Sequence, residues 1–354
     1  MCVVGMRVER VNLAIGHARG SGENGFLAVQ PESPQSKYEE AFVEVAGVRL
    51  HYLHAGSGTP MFLIHGLIGS SAKWRNNIDA LAKNASVYAI DLLNMGKSQR
   101  VDGLDSSLKA TANRIVAIMD SLGLAEVDIV GHSYGGAIAL MLAALHPKRV
   151  RRLILFAPAN PYSRSSDLIV RIYSTACGRL IARMLPFLPV PLQRIALGNM
   201  FSGPNPNADG CLQEIVDGLR CPSTLRHVLS IIHCWFAEMS SLKAALHRVA
   251  RIPTLLVWGD RDCTVSLTSG VRLNQKLRAT ELIVLPGGHS VFEESPEESN
   301  RIMLEWLGRH PLPAPLPATV PDTSSARPLE QAYPVSITAK ATPAPAMQHL
   351  SHET

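Results

Sequence analysis

The feature that most restricts the fold is a series of short, unbroken apolar runs with helical stretches between them. The runs are "PMFLIHG", "SVYAIDL", "VDIVGHS", "RRLILFAPA", "IPTLLVWGD" and "ELIVLPGGH". Each is too short for a helix, and several are rich in β-branched residues. Apolar residues without alternation fit strands covered on both faces, as in a parallel sheet. The helical stretches are "SSAKWRNNIDALAKN", "SLKATANRIVAIMDSLG", "YGGAIALMLAALHPKRV" and "SPEESNRIMLEWLG". The third stops at His146-Pro147, where the proline disfavours continuation. In the fourth, Ser295, Pro296 and Glu298 supply an expected N-cap, a first-turn proline and a capping-box acid. Strands alternating with helices give an α/β class. Ahead of the series, "AFVEVAGVRLHYLHAG" reads as a hairpin turning at Ala46-Gly47.

One interval interrupts the alternation. From about 160 to 250 no strong strand signal occurs, and "DLIVRIYSTACGRLIARMLPFLPVPLQRIAL" reads as helix with a Pro-rich break. This is expected to be a helical cap inserted after one strand. Its Arg171, Arg179 and Arg183 recur four to eight residues apart along one helical face. That face is read as solvated over an apolar one, with a membrane-surface helix as the alternative. Residues 1–37 lack periodicity and are expected to form a flexible leader. Residues 311–354 open with "PLPAPLPATVP" and read as a Pro-rich disordered tail. Residues 38–310 between them form the expected folded domain.

The chain has 354 residues, enough for a large core. Its formal net charge is +5, but Lys and Arg are scattered and no basic run is interleaved with aromatics. No nucleic-acid partner is expected. The six cysteines form no C-x-x-C pair and no zinc spacing, so free thiols in a reducing compartment are expected. The start shows no apolar segment after a basic one, so no signal peptide is read. The apolar window 129–145 is rejected as a membrane span because Gly131, His132, Ser133, Gly135 and Gly136 mark a strand-to-helix junction. The expectation is a cytoplasmic protein without membrane contact; nothing in the sequence bears on its oligomeric state.

Gly131-His132-Ser133-Tyr134-Gly135 matches G-x-S-x-G between a strand and a helix. A serine on such an elbow sits in strained backbone, and glycines two residues away relieve the crowding. The serine also stands at a helix N-terminus, where free N–H groups favour a developing anion. Serine is a weak nucleophile that needs a base, which needs an orienting acid. On such a fold the order is Ser, acid, His. "WGDRD" and "PGGHS" end later strands, placing Asp260, Asp262 and His289 at the carboxyl edge of the sheet, where open α/β sheets hold their sites.

Taken together, "LIHGLIGSSAKW", "DLLNMGKS", "GHSYGG", "WGDRD" and "GGHSVFEESPEE" resemble the α/β-hydrolase superfamily, in that family's order, over about residues 40–310. The resemblance implies a mostly parallel eight-stranded sheet flanked by helices, with a helical cap after strand six. It implies Ser133 as nucleophile, Asp262 as acid and His289 as base. Asp262 is preferred to Asp260 because the family's acid ends a G-x-x-D pattern. The backbone N–H groups of Leu67 and Tyr134 would form the oxyanion hole, and His65 is read as structural. Asn94 departs from the family, whose members usually carry glycine there, and Asp91 is read as ordering that loop. Trp235 and Phe236 are read first as cap packing; Ile68 and Trp235 are the candidate substrate contacts. The implied activity is hydrolysis of a carboxylic ester or related acyl compound, with no cofactor or metal. The alternatives are carbon–carbon bond hydrolysis of a diketone-like substrate, acyl transfer, or ligand binding with little turnover. The substrate is expected to be a small molecule with an apolar acyl or aromatic group, in a mainly apolar pocket under the cap.

Overall fold

The computed structural model describes residues 8–10, 38–163, 167–197 and 208–311. The strands are β1 (Val8–Arg10), β2 (Glu39–Val45), β3 (Val48–Ala55), β4 (Thr59–Ile64), β5 (Ala85–Ile90), β6 (Val127–His132), β7 (Val150–Phe156), β8 (Thr254–Gly259) and β9 (Thr280–Leu285). They form one sheet in the order β1-β9-β8-β7-β6-β4-β5-β3-β2. All neighbours are parallel except β2 with β3 and β3 with β5. Strands β2–β9 are the eight expected from the sequence. The additional strand lies in the expected leader: Val8, Glu9 and Arg10 pair in register with Leu282, Ile283 and Val284. Three residues are too few to show a side-chain period, so the sequence carried no sign of it.

The unbroken apolar runs have a direct cause. Alternate residues of one strand enter two different cores. Phe62 and Ile64 of β4 join the cluster on one face, with Ile129 of β6 and Leu256 and Trp258 of β8. Met61, Leu63, Val130, Leu255 and Val257 join the cluster on the other. The first face is covered by α2 (Leu108–Ser121) and α3 (Tyr134–Leu145). The second is covered by α11 (Pro296–Arg309), through Ile302, Met303 and Trp306, and by the one-turn α1 (Ile78–Leu81).

The β2–β3 hairpin turns at Ala46 (φ 51°) and Gly47 (φ 75°), two left-handed residues of the kind that match strand twist. Helix α2 is capped by Ser107, whose Oγ accepts from the Ala110 N–H at 3.1 Å. Two local expectations fail. The stretch 70–84 holds only a 3-10 turn, Ser71–Trp74, and α1. Its polar groups are committed elsewhere: the Asn77 side-chain Nδ2 donates to Asn300 Oδ1 at 2.8 Å, and the Ser71 backbone N–H donates to the Asp91 carboxylate. Ser295 stands at the N-cap of α11 but makes no side-chain cap bond, and Glu298 turns to Arg301 instead.

The cap follows β7, the sixth strand counted from β2. It comprises α4 (Asp167–Ser174), α5 (Ala176–Met184), α6 (Val190–Leu197), α7 (Ala208–Arg220) and α8 (Pro222–Ala245). At 24 residues α8 spans about 36 Å and packs on α3. Helix α9 (Leu267–Lys276) and the one-turn α10 (Val291–Glu294) complete the chain order.

Candidate active site

Ser133 is the single residue between β6 and α3, with φ 52° and ψ −117°. That region is costly for a residue with a Cβ, on the order of 1–3 kcal/mol. The surroundings impose it. The Ser133 N–H donates to the Phe156 carbonyl at 3.0 Å, and the Ser133 carbonyl accepts from Ala159 at 2.9 Å. The flanking glycines are needed for space. A Cβ on Gly135 would lie 2.3 Å from the Ile64 carbonyl oxygen, and one on Gly131 would lie 2.9 Å from that of Gly135.

His289 lies beyond β9 and Asp262 beyond β8, the strand beside it. Ser133 Oγ–H donates to His289 Nε2 at 2.9 Å, and His289 Nδ1–H donates to Asp262 Oδ2 at 2.8 Å. The other carboxylate oxygen, Oδ1, accepts from the Thr264 and Val265 N–H groups at 2.8 and 2.9 Å. Asp262 and His289 are both buried. The sheet therefore brings together three residues that lie 129 and 27 positions apart in sequence. Asp260, the rejected carboxylate, is exposed and accepts from the Gly287 N–H at 3.0 Å.

Leu67 follows β4, the strand next to β6. The Gly69 N–H closes a turn onto the Gly66 carbonyl at 3.1 Å, with Leu67 and Ile68 in the middle. Ile68 has φ 61°, a position that usually demands glycine. A β-branched residue there is strained, and strain of this kind gathers at functional sites. Tyr134 occupies the first turn of α3, where the amide has no partner within its own helix. Both predicted amides thus stand on segments flanking Ser133. His65 Nδ1 is 2.7 Å from the Gly66 carbonyl, and His65 Nε2 accepts from the Leu92 N–H at 3.1 Å. Its burial holds the imidazole below its ordinary pKa, as expected of a structural histidine.

Sequence reasoning missed His132. Its Nε2–H donates to the His289 carbonyl at 3.1 Å, and the two rings lie 4.7 Å apart. Burial, reinforced by the charge His289 can carry, drives its pKa far down. A neutral His132 therefore braces the backbone of the base. The one signal for it was a polar residue at the end of a buried strand.

The loop after β5 is ordered by Asp91. Its carboxylate accepts from the Lys97 N–H at 2.7 Å and from His51 Nδ1 at 2.8 Å. Burial alone would raise its pKa, but these bonds outweigh burial and lower it. Asn94 holds φ 65°, a left-handed conformation that favours glycine and that asparagine tolerates better than most residues. The Asn94 carbonyl accepts from Thr224 Oγ1 of α8 at 2.7 Å, tying the loop to the cap. A second tie joins Ser70 Oγ to Glu214 of α7 at 2.5 Å.

A cavity of about 360 Å3 lies where these ties meet, lined by Ile68, Ser70, Met95, Arg100 and Glu214 among others. Ser133 and His289 do not line it. Its lining mixes charged groups with apolar ones. Ile68 reaches it, whereas Trp235 is half-buried on α8 against the apolar cluster that also takes in Leu67 and Ile68. Among the described residues no group of three or more His, Cys, Asp or Glu side chains could hold a metal ion. The four cysteines with described side chains, Cys177, Cys221, Cys234 and Cys263, are unpaired. No helix of the described residues is long and apolar enough to cross a membrane.

Residues 59–176 match a family profile described as "alpha/beta hydrolase fold". The chain is 30% identical over 304 residues to a dihydrolipoyllysine-residue acetyltransferase component of an acetoin cleaving system from Pseudomonas putida, covering 81% of this chain and 73% of that protein. It is 26% identical over 293 residues to a 2-hydroxy-6-oxo-6-(2'-aminophenyl)hexa-2,4-dienoic acid hydrolase from Metapseudomonas resinovorans, covering 78% of this chain and 94% of that one. Among solved structures, a 2-hydroxy-6-oxo-6-phenylhexa-2,4-dienoate hydrolase from Rhodococcus sp. strain RHA1 superposes with a TM-score of 0.63 at 22% identity, over 77% of this chain and 99% of that chain. At that identity the likeness is one of fold.

Proposed function

The chain belongs to the α/β-hydrolase superfamily, and from that premise we propose that it is a serine hydrolase cleaving carboxylic esters or related acyl compounds. The observation that carries this reading is the continuous relay from Ser133 Oγ through both nitrogens of His289 to Asp262.

In the first step Ser133 Oγ attacks the carbonyl carbon while its proton passes to His289 Nε2. Asp262 holds the imidazole with Nδ1–H toward itself and stabilises its charged form. The oxyanion is taken by the N–H groups of Leu67 and Tyr134. Collapse breaks the ester C–O bond, and His289 returns the proton to the departing alkoxide. A water, deprotonated by His289, then attacks the acyl-enzyme; the acid leaves and Ser133 regains its proton. Replacing Ser133 by Ala is expected to lower kcat on short p-nitrophenyl esters by roughly 10⁴–10⁶ with circular dichroism unchanged. A variant as active as the wild type eliminates the mechanism.

A second reading has its own support. The relative from Metapseudomonas resinovorans, matched over nearly its whole length, is named as a hydrolase of a dienoic acid rather than of an ester. The same three groups serve for cleaving a carbon–carbon bond next to a ketone. A panel of p-nitrophenyl esters and vinylogous diketones separates the two. The ester reading expects higher kcat/KM on esters; a preference of a hundredfold or more for the diketone transfers the assignment to the second.

A further inference from the structure

The cap presents an inverted helix to its surroundings. Helix α5 buries its small residues, Gly178 and Ala182, and turns Leu180, Ile181 and Met184 outward. Leu180 is 61% exposed, and Phe187 in the turn that follows is 70% exposed. Among the described residues, eight of the nine strongly exposed large hydrophobics belong to the cap. A helix free to rotate would bury these side chains, because apolar surface left in water is unfavourable. It is not free. A Cβ on Gly178 would lie 1.9 Å from the Ile172 carbonyl oxygen, so the end of α4 is pressed against the glycine and fixes which side faces out. Ala182 and Leu185 complete the lock against Leu212, Val216 and Leu219 of α7.

The charge of this segment has one sign. From Leu168 to Ala208 the sequence contains four arginines and no aspartate or glutamate. Arg171 and Arg183 are exposed. A large apolar face on a segment whose charged side chains are all arginines is complementary to a surface with acyl chains beneath anionic headgroups.

We propose that the outer face of the cap, centred on α5 and Phe187, docks on an anionic phospholipid surface and lies in its headgroup–acyl boundary without crossing it. The proposal is independent of the chemistry assigned to Ser133. Leu180, Ile181, Met184 and Phe187 enter the apolar boundary, and Arg171 and Arg183 meet the phosphates.

The test is vesicle co-sedimentation of the full chain. It is expected to partition onto phosphatidylcholine vesicles containing phosphatidylglycerol, weakly onto pure phosphatidylcholine, and less as salt is raised. Leu180→Ser with Phe187→Ser should weaken partition at least tenfold. Arg171→Gln and Arg183→Gln should each weaken it roughly fivefold on the anionic vesicles alone. All four positions are exposed, so the variants should fold, and circular dichroism checks this. No partition by the wild-type chain, or equal partition onto both vesicle types, overturns the proposal. So does a lipid-free dimer in sedimentation velocity that Leu180→Ser with Phe187→Ser dissociates, because the face would then be covered by a second copy.

Discussion

Asp262 shows how a single residue is prepared for its part. One oxygen receives the His289 N–H, and the other receives two backbone N–H groups from the loop that follows. Its carboxylate is therefore oriented by the chain before any substrate arrives. Replacing it with asparagine keeps the shape but gives His289 the wrong tautomer partner, and kcat should fall about 10⁴-fold with little change in folding. Steady-state kinetics beside a thermal melt would check this; retention of a tenth of the activity would contradict the role. That Ser133, Asp262 and His289 would meet was legible because each follows a strand inside a recognisable local pattern. His132 was not, since its partner is a backbone carbonyl 157 residues away. The strain at Ile68 was equally hidden, because its positive φ comes from the turn between Gly66 and Gly69 and not from the residue type.

At the scale of elements, the elbow is a three-way packing of β4, β6 and α3. Gly135→Ala drives a Cβ into the Ile64 and His65 carbonyl oxygens, which are backbone atoms without rotamers to yield. A loss of about 3 kcal/mol or failure to fold is expected. Gly308→Ala, in α11 with nothing within 4 Å of the added Cβ, should instead stabilise by about 0.5–1 kcal/mol. Urea denaturation of both variants checks the pair, and similar effects from the two would contradict the packing argument. The hairpin, α2, α3 and the central strands could be read because their side-chain period or turn chemistry is local. The broken stretch 70–84 and the uncapped Ser295 could not, because Asn77 and Ser71 answer to partners on α11 and at Asp91.

Across the whole molecule, three buried histidines tie stability to pH. Burial lowers the pKa of His65 and His132, and pushes that of His227, on α8 beside Arg114 and Asp105, down to about 4. All three are neutral when folded and take up a proton at about pH 6.5 when unfolded. Stability is therefore full above that pH and is lost as pH falls, each histidine contributing up to about 1.4 kcal/mol per pH unit; for His227 the window closes near 4. Urea midpoints at pH 7.5, 6 and 5 should decline, and a flat profile would contradict the assignment. The position of the cap was legible from the gap in the strand series. Its orientation was not, because the contact of Gly178 with the end of α4 decides it. The central claim is that Ser133 is a nucleophile driven by His289. Mass-spectrometric mapping after fluorophosphonate treatment tests it most directly. The account predicts a single adduct on Ser133, formed roughly a thousandfold more slowly in His289→Ala; an adduct on another serine, or equal labelling of the two proteins, would contradict it.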